Sequence, residues 1–236
     1  MKPKTIKMIA SFVLLIVAGA AWPARAQDSQ PPYPKMAPLD QYLMGRDAEI
    51  ALARSGAPAS ISRDAEVMVL GRHGYETAVK GKNGFVCVVE RGWNSPADAP
   101  EFWNPKLRGA NCYNPPAART ILPLILKRAE LALAGLSKTQ IIEGVTAFGK
   151  KEVPPLQTGA MCYMMSKESY LTDDDGHNVA HLMIYVPQGT AWGADLPGSP
   201  VEMLQQRVPG APGAVSELMV PVRRWSDGTS AVAVAH

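Results

Sequence analysis

The chain has 236 residues, with 24 Lys and Arg against 21 Asp and Glu and 47% hydrophobic residues, a composition ordinary for a globular protein with a substantial core. Its formal charge of +3 rests on the first 26 residues, where Lys2, Lys4, Lys7 and Arg25 stand with no acid. Without them the balance is 20 basic to 21 acidic residues, which leaves no electrostatic case for nucleic acid or anionic membrane as partner.

The basic start, the apolar run over 8–21 and the close Ala24, Arg25, Ala26 have the layout of a secretory signal peptide. The run is shorter than the roughly 20 residues that span a bilayer, and no later stretch approaches that length, so no membrane insertion of the mature chain is expected. Gln27 follows the cut where a lipoprotein would carry cysteine. The expected organisation is a signal peptide over 1–26, a flexible Pro-rich leader over 27–37, one domain over 38–228 and a disordered tail over 229–236. The expected location is periplasmic or extracellular.

Within the domain, Leu39, Tyr42, Leu43, Ile50 and Leu52, with charges between them, predict an amphipathic helix over 38–54, closed by Gly56 and Pro58. β-Branched and aromatic runs at 67–70, 75–80 and 85–89, separated by glycine turns, predict a meander, with Asn83 and Gly84 as a hairpin signal. His73 falls on a turn and is expected to be exposed. Residues 90–114 lack periodicity but hold Trp93, Phe102, Trp103 and Tyr113. Long loops of this kind are usually functional or disordered, and the aromatic content argues against disorder, so these four aromatics are the candidate ligand-binding residues; the favoured expectation is that they fold back to cover one face of the sheet.

Asn114, Pro115 and Pro116 open a helical region that Pro123 should divide. Gly135 ends it. Ser137 and Gln140 form a capping box, with Leu136 and Ile141 as the matching hydrophobic staple, and the second helix is expected to stop at Gly149. Residues 159–187 then read as two strands joined by a polar loop. A Gly- and Pro-rich connection over 188–213 precedes a last strand at 218–222, and the turn Ser226, Asp227, Gly228 ends order. The fold predicted is α+β: a mostly antiparallel sheet of five or six strands with an N-terminal helix and a helical hairpin packed on it.

The segments 85–91 (FVCVVER), 102–105 (FWNP), 112–115 (CYNP) and 161–167 (MCYMMSK) resemble, with the overall layout, a group of secreted bacterial hypothetical proteins. The resemblance covers nearly the whole mature chain. It implies export, and brings with it no activity, ligand or catalytic residue.

Three cysteines in an oxidising compartment allow at most one intrachain bridge. Cys87 and Cys162 lie in apolar, strand-like runs and read as small buried hydrophobes, whereas Cys112 falls in a loop and is the one expected to pair or react. Its partner is left open by the spacing; the candidate bridge is Cys87 with Cys112.

His177 and His181 have the spacing of the H-E-x-x-H zinc motif, but Asn178 stands where the general base belongs and the context is loop and strand rather than helix. A weaker metal site remains, in which His177, His181 and Cys162 meet if the two strands pair, with Asp173, Asp174 or Asp175 supplying oxygen and Asp175 taken as the candidate, as ligands for zinc or copper. Calcium ligands at EF-hand spacing are missing, as are the serine-hydrolase elbow, the phosphate-binding loop and a C-x-x-C pair. The expected role is therefore a binding or accessory module of the cell envelope, engaging a small molecule or an envelope protein. The alternative is a metal-dependent hydrolase using His177 and His181.

Overall fold

The computed structural model describes residues 32–173, 179–205 and 207–231. The signal-peptide segment, and the loop positions Asp175 and His177, lie outside the described residues. Among the described residues eight strands build one sheet: β1 (Glu66–Gly71), β2 (Gly74–Val79), β3 (Val86–Glu90), β4 (Gly109–Tyr113), β5 (Met161–Met164), β6 (His181–Pro187), β7 (Glu202–Gln205) and β8 (Val215–Pro221). Their order across the sheet is β2-β1-β3-β4-β5-β6-β8-β7. Every pairing is antiparallel except β1 with β3.

The parallel pair corrects the expected meander. Asn83 and Gly84 do not close a hairpin; they lie on a crossover that carries the chain past β1, leaving β2 at the sheet's edge. Lys82 N–H donates to Asp64 O (2.7 Å) and Glu66 N–H to Phe85 O (2.9 Å). Gly81 is pressed so closely on β1 that an added Cβ would sit 2.2 Å from Glu66 N. The Asn83 amide is spent on Ile61 O (2.8 Å) and Phe85 N–H (3.1 Å), so the local turn preference serves a crossover.

Helices cover both faces. On one lie α1 (Arg46–Arg54) and the short α2 (Ala59–Ser62), where Leu52, Ala53 and Ala57 pack on Val67, Cys87, Val89 and Cys112. The helix expected over 38–54 is thus broken, with a single 3-10 turn at Leu39–Gln41 preceding α1. Tyr42 causes the break: it is fully buried and its hydroxyl donates to Trp103 O (2.8 Å). Gly45, extended, then caps α1.

The other face carries α3 (Pro115–Thr120), α4 (Leu122–Leu133) and α5 (Lys138–Glu152). Asn114 caps α3 through Ala117 N–H (3.0 Å), and the helical region divides at Ile121, before Pro123. The capping box of α5 is formed: Ser137 N–H donates to Gln140 Oε1 (3.0 Å) and Gln140 N–H to Ser137 Oγ (3.4 Å). Helix α5 runs three residues beyond Gly149. That glycine is needed for closeness rather than termination, because a Cβ there would lie 1.7 Å from Gly210 O in the connection to β8.

Two further corrections concern the long loops. Strand β4 lies inside the supposed loop 90–114, so Cys112 is on a fully buried strand. Strand β7 lies inside the connection 188–213, paired with β8 at the edge of the sheet. At the ends, Tyr33 and Met36 of the expected leader pack on the core around Trp93, and Ala231 N–H, in the expected tail, donates to Arg223 O (2.9 Å). Among the described residues no helix is long and apolar enough to cross a membrane.

Candidate functional site

Residues alternate faces along a strand, so Val88 and Glu90 of β3, Asn111 and Tyr113 of β4, Cys162 and Met164 of β5, and His181, Met183 and Tyr185 of β6 all point to the α4 side. Glu217 of β8, opposite Tyr185, joins them. Helix α4 does not close down on this face. A cavity of about 340 Å³ lies between them, within the size of small-molecule sites. Its walls are mainly apolar, from Ile121, Leu124, Ile125, Met164, Met183 and Val208.

Charge lies within this apolar wall. Glu90 Oε1 accepts from Asn111 Nδ2 (2.7 Å) and from the Tyr113 hydroxyl. Burial raises the Glu90 carboxyl above its ordinary value, while those two donors and the Arg128 charge pull the other way. Glu217 is only 5% exposed. Burial first, and then the Glu90 charge, hold its carboxyl at about 7, against the pull of the Tyr185 hydroxyl and Arg128. Burial also raises the Tyr113 and Tyr185 hydroxyls and the Cys162 thiol, so all three stay protonated.

Arg128 is a buried cation in the wall of the site. It projects from α4 at a core-facing position, one turn after Leu124, and is 4% exposed. Its Nη1 donates to Asn94 O (2.9 Å) and its Nη2 to Ser95 O (3.1 Å), while Nε has no partner. Burial lowers the guanidinium pKa to about 10, leaving it charged at neutral pH. Asn94, 8% exposed and lining the same cavity, has neither Oδ1 nor Nδ2 hydrogen-bonded. A buried amide with both ends unpaired is costly in a finished core.

Of the four candidate aromatics, Tyr113 alone reaches the cavity. Trp93, Phe102 and Trp103 are buried against Tyr42, Ala129 and Ile141 in a separate core cluster. Trp93 stacks at 4.9 Å on Tyr42, and Phe102 meets Trp103 edge-on at 4.7 Å.

The proposed metal ligands divide. Cys162 and His181 share the α4 side of the sheet, whereas His177 and Asp175 lie outside the described residues. Cys162 is buried beside the Tyr185 hydroxyl (3.5 Å). His181 lines the cavity, its Nδ1 donating to Val179 O, and burial lowers its pKa so that the imidazole is neutral at pH 7. Among the described residues no three His, Cys, Asp or Glu cluster as a metal site. On the opposite face of the sheet Cys87 and Cys112 form a disulfide, directly across β3 and β4. His73 is exposed on the β1–β2 turn.

Sequence reasoning missed Glu90, Asn94, Arg128, Tyr185 and Glu217. A signal was present: Arg128 and Glu217 are charges at core-facing positions of an otherwise apolar helix face and strand. The fold and the cavity together define an α+β domain that encloses a ligand-sized, mostly apolar space with ionisable groups in its wall. No family model matches the chain, and neither a curated protein nor a solved structure matches it.

Proposed function

We propose that the protein is an exported, soluble binding module that holds a small molecule between the sheet and α4. One observation carries this reading: the 340 Å³ cavity is lined by an unpaired, buried amide and by two carboxyls, which a core selected for stability alone would not keep open. The basic start with its apolar run, and the disulfide between Cys87 and Cys112, support export.

The reading is tested by native mass spectrometry of protein recovered from the periplasm or medium. A mature chain beginning at Gln27, with a small-molecule adduct that is lost on unfolding and refolding, is expected. Filling the space with Ile125→Trp should remove the adduct while circular dichroism stays native. An adduct that survives that substitution would place the ligand elsewhere and defeat the proposal.

A further inference from the structure

The charges around the cavity do not balance. Arg91, which also lines the cavity, is taken up by Glu49 of α1 (2.9 Å), so among the described residues Arg128 is left as the cation facing two acids, Glu90 and Glu217. Arg128 is already engaged by the carbonyls of Asn94 and Ser95. With both carboxyls ionised the pocket would carry one negative charge too many. A buried site in that condition either keeps a proton or takes up a cation.

The unpaired Asn94 amide is the independent sign of which. Its Oδ1 is an unused acceptor on a residue that lines the same cavity as the two acids, so three acceptor groups sit around a space whose wall is otherwise mainly hydrocarbon, with Arg91, Arg128 and His181 also in it. Resting on the small-molecule reading above, we infer that the ligand is a monocationic amine with an apolar body, its ammonium held by Glu90, Glu217 and Asn94 Oδ1 and its hydrocarbon lying against α4.

At neutral pH such a ligand arrives as an ammonium ion. The proton that Glu217 holds leaves to the buffer as the ammonium takes its place, so no charge accumulates in the cavity. The other titratable groups that face the pair do not compete for this role. Tyr113 on β4, Cys162 on β5 and Tyr185 on β6 are kept protonated by burial, His181 on β6 is kept neutral, and Arg128 on α4 stays charged. Glu217 is the group poised to change near pH 7.

The test compares n-octylamine, n-octanol and n-octanoate by isothermal titration calorimetry at pH 6 and pH 8, each in two buffers of different ionisation enthalpy. One-to-one binding of the amine is expected, at least about tenfold tighter than the alcohol at pH 8. Amine affinity should rise from pH 6 to pH 8, with close to one proton released on binding at pH 6 and little at pH 8, and octanoate should bind weakest. In Glu217→Gln the amine should lose its advantage while octanol binding persists. Octanol matching the amine at both pH values, or octanoate binding tightest, would overturn the charge inference and leave the binding module standing. If none of the three binds, both readings fall.

Discussion

Buried charge occurs on both faces of the sheet, and the two clusters are built differently. On the α1 side Glu49 and Arg91 are 1% and 0% exposed and fully engaged. Arg91 donates through Nη2 to Glu49 (2.9 Å), through Nε to Tyr42 O (2.8 Å) and through Nη1 to Val89 O, and Leu70 N–H donates to the same Glu49 oxygen (3.0 Å). On the α4 side, among the described residues, two acids face Arg128, with the Asn94 amide and Arg128 Nε unpaired. A satisfied buried ion pair ties elements together, whereas a cluster left partly unpaired beside a cavity is what the proposed binding role requires.

The comparison can be broken hardest on the closed face. Arg91→Met leaves Glu49 buried with a single donor and should cost about 3–5 kcal/mol in urea unfolding. A loss below about 1 kcal/mol would mean the pair is not the brace described. Removing the bridge with Cys87→Ser/Cys112→Ser releases a loop of sequence separation 25 and should lower stability by about 3 kcal/mol, read from the urea midpoint.

On the cavity face the expected sign changes. The folded-state pKa of Glu217 lies above its ordinary value of 4.5, at about 7, so the native state holds the proton more tightly than the unfolded chain. Stability should therefore fall as pH rises from about 4.5 to about 7 and level off above, by up to roughly 3 kcal/mol for this group. Glu217→Gln should flatten that slope and leave stability at pH 8 equal to or above that of the natural chain. A slope that persists in this variant would assign it to other groups.

The smallest effects concern space. Ala53→Leu adds volume to a fully closed contact and should cost about 1–3 kcal/mol. Ile125→Phe adds volume where the cavity can receive it and should stay within about 1 kcal/mol. Equal melting shifts for the two would remove the distinction between the faces.

What the sequence made legible was local. Ser137, Gln140, Leu136 and Ile141 mark a helix start by contacts within five residues, and α5 begins there; β5 and β6 announce themselves as short apolar runs. The failures have a common cause in distance. The β1–β3 pairing joins Glu66 to Val86 in parallel, which a turn signal at Asn83 and Gly84 does not report. Strand β7 offers only Met203 and Leu204 as apolar residues and exists through β8. The cavity is further removed still, since Glu90, Asn94, Arg128 and Glu217 come from a strand, a turn, a helix and a strand. No spacing rule joins them, although a charge on each of two apolar faces could have been flagged.

The alternation of β4 and β5 has a consequence for how the chain matures. Cys112 sits beside Tyr163 and Cys162 beside Tyr113, so the leftover thiol and the bridge face opposite sides of the sheet. Thiolate attack on the bridge is therefore blocked once the strands are in register, by the intervening backbone and by the protonation of buried Cys162. Before registration nothing separates the three sulfurs, and two of their three pairings are wrong. Oxidative refolding should accordingly yield scrambled isomers that Cys162→Ala prevents, so the need for a disulfide isomerase is confined to the time before the sheet closes.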